Sequence, residues 1–318
     1  MTRNTQLKFK KSKMHSKSIK YSFEHIAYCE MCGDDASNHH ILGQRLNQSQ
    51  GFKPKTKEGI TVSVKKCTRC SLVYSAPMPI PFNIQDHYGV PPENYWKPTY
   101  LQWGKSYFSY ELNVLEKLIT FKPDMKALDV GAGIGKCMLS LQNWGFDAYG
   151  FEPSEPFYER AISKMNIPPG KIKLGMIEDV EYEKEYFDFI TFGAVFEHLY
   201  HPAKSLAKAF EWLKPGGLIQ IEVPSSDYLI SKIVNGYYRL IGTNYVTNIS
   251  PMHRPFHLYE FGKKSFYELA KKLNYDVVFS EYYAGGIGII PKIFHPLLQA
   301  YMKQTNTGMQ LTVWLKKK

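Results

Sequence analysis

The sequence predicts an α/β fold, a Rossmann-like and largely parallel sheet with helices on both faces, preceded by a small cysteine-containing module. Three observations support this prediction. Short apolar segments typical of buried parallel strands alternate with segments whose apolar residues recur at helical spacing. A glycine-rich turn follows the first of these strands, and an acidic residue ends the second. Four of the five cysteines form two C-x-x-C pairs ahead of this region.

Length and composition limit the class of protein. The chain has 318 residues, 44% of them hydrophobic, which is enough for one large domain with an appendage. No apolar run approaches 18 residues, so we expect no membrane span. The N-terminus is basic but has no apolar segment of the kind found in secretory signals. Five cysteines, four of them in two C-x-x-C pairs, indicate a reducing compartment and a metal in preference to disulfides, and these features together predict a cytoplasmic protein.

The net charge of +11 is concentrated at the start of the chain. Seven lysines and arginines precede Glu24, which is the first acidic residue. Residues 1–22 are polar and show little periodicity, so we expect a basic disordered arm. This arm is either a solvated tail or a segment that contacts anionic lipid or nucleic acid.

The cysteine pairs predict a zinc-binding, zinc-ribbon-like module over residues 23–80. Each C-x-x-C turn aims two thiolates at one point, and two such turns supply the four sulfurs of a closed tetrahedral site. A closed site leaves no open coordination position, so the zinc would be structural. The alternative is a set of buried thiols without metal. The stretch between the pairs is predicted to contain a short β-strand segment, a β excursion, from Ile60 to Val64. His39 and His40 also lie between the pairs, but we do not expect them to be metal ligands. The predicted ligands are Cys29, Cys32, Cys67 and Cys70.

Residues 81–104 form the predicted connector between the module and the large domain. Six prolines from Pro77 to Pro98 exclude a long helix, so we expect an extended segment. Its aromatic residues either line a substrate cleft or pack the two modules together. Lys105 to Phe121 has apolar residues at helical spacing and is predicted to be the helix before the first strand.

The glycine-rich turn is the centre of the predicted site. Ala127 to Val130 is a predicted buried strand, and glycines at 131, 133 and 135 allow a sharp turn with close ligand approach. Asp147 to Phe151 is the next strand, and Glu152 at its end is placed to accept hydrogen bonds from ribose hydroxyls. Lys136 stands where a dinucleotide fingerprint requires its third glycine. The alternative is a tight strand–helix turn without a ligand.

This pattern resembles motif I of the class I S-adenosylmethionine (SAM) methyltransferases. The resemblance implies that the aspartate and glycines hold the amino acid part of SAM, that the acid after the second strand holds the ribose, and that the 177–179 segment lies beside the adenine. The cofactor-binding residues it implies are Asp129, Gly131, Ala132, Gly133, Gly135, Phe151, Glu152, Pro153, Ile177, Glu178, Ala194 and Glu197.

Three further segments extend the resemblance. F-D-F-I at 187–190, F-E-H-L-Y-H-P at 196–202 and L-K-P-G-G-L at 213–218 resemble motifs of the ubiquinone-biosynthesis-type methyltransferases, methyltransferase domain 23. The resemblance covers about 105–283 and implies a seven-stranded methyltransferase sheet. Its elements are predicted as helices at 156–166, 202–212 and 266–273, and strands at 171–174, 186–192, 213–224, 275–283 and 310–315, the last two forming a closing antiparallel hairpin.

The methyltransferase domain is therefore expected over 105–318, with insertions at 225–250 and 286–304. Insertions after the carboxyl ends of strands are where this fold builds a substrate lid. The same insertions could instead pack a dimer or touch a lipid surface.

Histidines are the candidate bases, because neutral imidazole accepts a proton near pH 7. His253 and His257 belong to an H-x-x-x-H-L-Y stretch that resembles domain-23 enzymes, and His198 follows Glu197. The stretch is more loosely similar to the E-H-x-x-Y segment of sugar C-methyltransferases, which also carry an N-terminal zinc module. Phe256 stands where those enzymes have glutamate, which argues against C-methylation. For each histidine a structural role is the alternative.

The resemblance implies methyl transfer from SAM to a hydroxyl, in preference to carbon, of a sugar or related small metabolite in polysaccharide biosynthesis. A second hypothesis is RNA methylation, with the basic arm and zinc module holding phosphates. Against it, Phe192 to Val195 lacks the N/D-P-P-Y/F segment of base-amine methyltransferases. The third hypothesis is a SAM-binding scaffold without activity.

Overall fold

The computed structural model describes residues 19–47, 60–95, 97–285, 287 and 290–318. Most of the predicted basic arm, up to residue 18, lies outside the described residues, as do Trp96 of the connector and residues 286, 288 and 289 of the second insertion. Within the described part, no helix is long and apolar enough to cross a membrane.

The N-terminal region is built from short antiparallel strands. Strand β1 (Tyr21–Glu24) pairs with β5 (Met78–Pro81). Strands β2 (His40–Leu46), β3 (Thr61–Lys66) and β4 (Val73–Ala76) form a meander, and β3 contains most of the predicted β excursion. A fourth strand, β11 (Tyr259–Glu260), comes from the distant part of the chain and pairs with β4. The N-terminal sheet is thereby joined to the segment that carries the candidate histidines.

The connector differs from the extended segment that the prolines suggest. It contains two short helices, α1 (Gln85–Tyr88) and α2 (Pro92–Tyr95), and a 3-10 turn over Pro98–Leu101. Pro92 and Pro98 each stand at the first position of a turn, where the missing N–H has no partner to lose and the fixed φ suits the helix. Helix α3 (Ser109–Leu118) follows and is shorter at both ends than the predicted 105–121 helix.

The central sheet has the predicted methyltransferase topology. The described residues contribute seven strands in the order β12-β13-β10-β9-β6-β7-β8. Strands β8, β7, β6, β9 and β10 are mutually parallel, and β13 is antiparallel to both of its neighbours, β10 and β12. The strands are β6 (Lys126–Val130), β7 (Asp147–Glu152), β8 (Ile172–Leu174), β9 (Phe187–Gly193), β10 (Leu213–Pro224), β12 (Tyr275–Tyr283) and β13 (Gln310–Lys317).

Helices cover both faces of this sheet, which explains why its central strands are apolar along nearly their whole length. Leu128, Ile190 and Ile219 of the three central strands are completely buried. Four helices connect the strands of this sheet along the chain. They are α4 (Lys136–Trp144), α5 (Glu155–Ser163), α6 (Pro202–Trp212) and α8 (Lys263–Leu273). One continuous apolar cluster reaches from Leu128 through Phe261 to Tyr74, so the N-terminal region packs onto the same core.

Both insertions contain a helix. Helix α7 (Leu229–Leu240) lies in the first insertion, and α9 (His295–Thr305) lies in the second. The two helices pack together through a small apolar cluster that includes Val234, Tyr238 and Met302.

Candidate active site

A cavity of about 460 Å³ opens at the carboxyl ends of β6, β7 and β9, where doubly wound sheets bind their ligands. Its size lies in the usual range for a small-molecule site. Eleven of the twelve predicted cofactor-binding residues line it, Gly135 being the exception, and two of the three candidate histidines do so. These lining residues are Asp129, Gly131, Ala132, Gly133, Phe151, Glu152, Pro153, Ile177, Glu178, Ala194, Glu197, His198 and His257.

The glycine turn forms one wall of the cavity because its backbone has conformations that other residues avoid. Gly131 has φ +66°, and a Cβ there would lie 2.6 Å from a methyl carbon of Val195. Gly135 has φ +83° and stands at the start of α4, not on the cavity wall. A Cβ there would lie 2.7 Å from a side-chain carbon of Ile167. The turn therefore holds backbone close to any ligand in the cavity.

Glu152 links the turn to the end of β7. Its carboxylate accepts hydrogen bonds from the backbone N–H groups of Gly133 and Ser154, each across 2.8 Å. Burial raises its pKa to about 7, although the two backbone hydrogen bonds act in the opposite direction. The side chain is thus fixed at the cavity, with acceptor capacity left for ribose hydroxyls.

Asp129 and Glu197 are the other buried carboxyl groups of the cavity. Burial raises the pKa of each to about 8, and the neighbouring Glu152 carboxylate adds to the effect at Asp129. Within the described part of the chain, Oδ2 of Asp129 and Oε2 of Glu197 have no hydrogen-bond partner. Buried unpaired acceptors favour a ligand with cationic donors, because such a ligand supplies the missing partners. SAM meets this requirement through its ammonium group, which donates hydrogen bonds, and its sulfonium adds a second positive charge, so the residues present fit that cofactor.

His198 and His257 approach Glu197 at the same cavity. Nε2 of His257 lies 3.6 Å from Oε1 of Glu197, and Nε2 of His198 lies 3.9 Å from it. The Phe256 carbonyl, 3.1 Å from Nδ1 of His198, can only accept, which places the proton on Nδ1 and leaves Nε2 as the acceptor nitrogen. Burial lowers the pKa of His198 to about 4 and of His257 to about 3, so both imidazoles are neutral at pH 7.

Backbone hydrogen bonds bring His257 to this position. The N–H of Leu258 donates to the Glu197 carbonyl across 2.9 Å, and Ser250 and His257 bond to each other through their backbones. The nitrogens and oxygens of Glu197, His198 and His257 lie within 4.8 Å of one another, so the three could also hold a cation.

His253 does not line the cavity. Its Nε2 lies 3.1 Å from the guanidinium of Arg45, which donates to it. Burial, together with the Arg45 charge, lowers the pKa of His253 to about 4. The structure therefore separates this histidine from the other two, and its predicted role as a base has no contact in the cavity to support it.

Phe256, which stands in the place of a glutamate in the sugar C-methyltransferase pattern, packs face to face with the ring of His87, at a centroid separation of 3.9 Å. Next to it, the hydroxyl of Tyr88 lies 3.1 Å from Nδ1 of His198. Tyr88 and Tyr107 both line the cavity. The aromatic connector thus contributes to the cleft, which was one of its two predicted roles.

Cys137 is a cavity residue that sequence reasoning missed. Its thiol hydrogen-bonds Asp129, and burial raises its pKa well above the ordinary value, which keeps it protonated. Only its position two residues after the last glycine could have indicated this contact. Tyr200 and Met176 also line the cavity without having been predicted to do so.

The four predicted metal ligands meet in a second, separate place. Cys29 and Cys70 bring their sulfurs to 3.4 Å, and Cys32 and Cys67 to 3.6 Å, with all four within 4.8 Å of one another. All four are buried and none forms a disulfide. Four thiolates about 2.3 Å from a tetrahedral zinc have sulfurs about 3.8 Å apart, so this cluster is compatible with zinc.

The sheet order, the glycine turn and the acid at the end of β7 define the class I methyltransferase fold with its cofactor cleft. Residues 106–279, more than half of the chain, match the family described as "Methyltransferase domain", methyltransferase domain 23. The chain belongs to this family and is a SAM-dependent methyltransferase.

A relative in Streptomyces fradiae, an uncharacterized 37.1 kDa protein in transposon Tn4556, is 30% identical over 130 residues, which cover 40% of this chain and 36% of the relative. The chain thus matches little more than a third of that protein's length. Solved structures include a SAM-dependent methyltransferase from Mesorhizobium loti (13% identity, TM-score 0.47, covering 68% of this chain and 100% of that one) and one from Archaeoglobus fulgidus (16%, 0.44, 67% and 95%).

Proposed function

We propose that the protein transfers the methyl group of SAM to a hydroxyl of a sugar, a glycan precursor or a related small metabolite. The observation that carries the proposal is the pairing of His257 with Glu197, 3.6 Å apart, on the cavity that contains the glycine turn. A hydroxyl nucleophile must lose its proton during transfer, whereas many amines need no base. A histidine–carboxyl pair is suited to accept that proton.

The cofactor is held by the three carboxyl groups and the glycine turn. Glu152 accepts from the ribose hydroxyls, and Asp129 accepts from the amino group of the methionine part. When bound, SAM supplies an electrophilic methyl on a positively charged sulfur. Burial of this cleft away from water strengthens the attraction between its carboxylates and a cationic ligand.

His257 is the proposed base, and Glu197, once ionised, stabilises the imidazolium that forms when the hydroxyl proton is transferred to the ring. His198 supports the pair, because its own Nδ1–H is held by the Phe256 carbonyl and its ring packs edge-on against His257 at 5.0 Å. The imidazole must be neutral to accept a proton, and the lowered pKa of His257 keeps it so at pH 7.

The residues that line the cavity favour a sugar as the acceptor. Tyr88, Tyr107 and Tyr200 present aromatic rings and hydroxyl groups. Such a lining suits a sugar, whose C–H faces pack on aromatic rings while its hydroxyls form hydrogen bonds. The cavity has no lysine or arginine other than Lys136 among its described lining residues, which favours a small acceptor over an RNA backbone.

We also propose that the cluster of Cys29, Cys32, Cys67 and Cys70 binds one structural zinc. Four thiolates leave no open coordination position, so the metal would stabilise the N-terminal sheet without taking part in methyl transfer.

The experiment that tests the proposed function measures transfer of a radiolabelled methyl group from SAM to a panel of nucleotide sugars, free sugars and RNA. We expect labelling of a sugar hydroxyl, and a loss of about a hundredfold or more in the His257→Gln variant. The matched control is His25→Gln, because His25 is exposed and does not line the cavity. Labelling of RNA alone, or equal rates in His257→Gln and the unchanged protein, would contradict the proposal.

A further inference from the structure

The two insertions form a helical lobe, which we define as residues 228–258 and 283–305. Its two helices, α7 and α9, pack against each other and against the N-terminal sheet. The apolar side chains buried between them are Leu46, Ile230, Val234, Tyr238, Tyr245, Ile287 and Met302. The outward sides of both helices therefore face away from this cluster.

Those outward sides carry an unusual share of exposed apolar surface. The three most exposed large hydrophobic side chains in the described part of the chain are Leu240 (88%), Ile293 (82%) and Leu297 (75%), and all three belong to the helical lobe. Phe294 and Tyr301 are exposed as well. Ile293 and Phe294 belong to the 3-10 turn (Lys292–Phe294) that leads directly into α9, and Leu297 and Tyr301 belong to α9 itself. Met302, one position further, is completely buried, so α9 has one face in the lobe and an apolar face in solvent. An exposed apolar face of this kind marks a site of interaction.

The charge of the lobe has a single sign. Residues 228–258 and 283–305 contain five lysines and arginines and no aspartate or glutamate. Lys232 and Arg239 belong to α7, Lys292 begins the 3-10 turn before α9, and Lys303 lies in the last turn of α9. This distribution is uneven, because the chain as a whole has 29 acidic residues.

We propose that the helical lobe docks on the surface of an anionic lipid bilayer. A helix that presents large apolar side chains flanked by lysines, with no acidic residue, has the features of an interfacial helix. Its apolar side chains enter the boundary between head groups and acyl chains, and its lysines contact anionic head groups. A second copy of the chain fits less well, because two lobes of the same charge would face each other.

The helical lobe forms part of the wall of the active cavity. Pro255 and His257, in the segment of the lobe that follows α7, both line the cavity. Docking would therefore hold the cavity close to the membrane surface, where an acceptor carried on a lipid is concentrated. Docking on the bilayer does not depend on the identity of the proposed acceptor, so an experiment can contradict the docking proposal without contradicting the proposed methyl transfer.

The test is sedimentation of the full chain with vesicles of phosphatidylcholine alone and of equal parts phosphatidylcholine and phosphatidylglycerol. We expect binding to the anionic vesicles only. The double variant Ile293→Glu/Leu297→Glu should bind them about tenfold or more weakly, because it removes two inserted side chains and adds two negative charges. The matched control is Phe82→Glu, which changes a similarly exposed apolar residue outside the lobe.

Unchanged SAM affinity and circular dichroism in the double variant would show that it folds, so that lost vesicle binding reports the surface alone. Equal binding of the double variant and the unchanged protein would overturn the proposal, since the N-terminal basic residues would then account for attachment. A dimer in light scattering that Leu297→Glu converts to monomer would also overturn it, because the face would then be an interface between two copies.

Discussion

The backbone N–H of Gly133 donates to Oε2 of Glu152 across 2.8 Å, which joins the glycine turn to the end of the neighbouring strand. The two segments that we propose to contact the cofactor are thus tied directly to each other. Because the turn and the acid are positioned by each other, a change at either one should disturb both.

The glycine turn should not tolerate a side chain at its first position. Gly131→Ala places a methyl group 2.6 Å from a Val195 carbon at φ +66°, so we expect a loss of about 1–3 kcal/mol in the free energy of unfolding and weaker SAM binding. Denaturant unfolding and calorimetry measure the two effects. Gly170→Ala is the control, because a Cβ there meets open space. Equal stability of the two variants would mean that the turn is not constrained as described.

SAM binding should depend on pH between about 6 and 8. Burial raises the pKa of Asp129 and Glu197 to about 8 and of Glu152 to about 7, so in the free protein these groups hold protons at pH 6. A cationic ligand requires them ionised. We therefore expect affinity to rise about tenfold or more between pH 6 and pH 8, with protons released on binding at pH 7.

Calorimetry in buffers of different ionisation enthalpy measures that proton release. The same carboxyl groups have the opposite effect on the stability of the free protein, which they lower as the pH rises. Their folded pKa values lie above the unfolded ones, so their contribution to stability is present below about pH 4 and is lost as the pH rises through 7 to 8. Bound SAM should offset this loss, and its effect on the melting temperature should be larger at pH 8 than at pH 6. Binding without proton release would contradict the assignment.

The rate of methyl transfer should increase as Glu197 loses its proton. In the free protein the carboxyl group has a pKa of about 8, while His257 is neutral, so the pair can accept a hydroxyl proton only after Glu197 ionises. We expect kcat/KM for the identified acceptor to rise toward pH 8, and Glu197→Gln to remove this dependence. A pH profile that is identical in Glu197→Gln would show that another group is responsible for it.

The cysteine cluster should hold about one zinc per chain, measured by elemental analysis of purified protein. Cys70→Ser should lose the metal and lower the melting temperature, because the binding free energy of a structural zinc contributes to folding. Cys137→Ser is the control, since Cys137 lies in the cofactor cavity, away from the cluster, and its loss should leave the zinc content unchanged. Full-length protein without metal that melts at the same temperature would contradict a structural zinc.

The order of strands and the cofactor cleft could be predicted because each rests on local signals. The apolar strand β6, the three glycines and Glu152 specify the neighbouring strands β6 and β7 and the turn between them, and the closing hairpin of β12 and β13 follows from the resemblance to the methyltransferase fold. The meeting of the four cysteines was equally predictable, since each C-x-x-C turn fixes two sulfurs.

Contacts between distant segments could not be predicted in the same way. Sequence spacing alone treats His253 and His257 alike, yet only His257 reaches the cavity. Ser250 bonds the backbone of His257 and Glu197 bonds that of Leu258, whereas Arg45, 208 residues from His253, holds the His253 ring. The pairing of β11 with β4 and the contact of Tyr88 with His198 also depend on tertiary packing. The prolines of the connector exclude a long helix but not short turns, because Pro92 and Pro98 each stand at the first position of a turn, where proline is favoured.

Titration calorimetry of the full chain tests most directly whether the cleft that contains Asp129 and Glu152 binds SAM. We expect micromolar binding of SAM, none of NADH, and a loss of about tenfold or more in affinity for Asp129→Asn, with Asp276→Asn on the exposed part of β12 as the matched control. Absence of SAM binding, or equal affinity in Asp129→Asn and the unchanged protein, would contradict the account of the cleft.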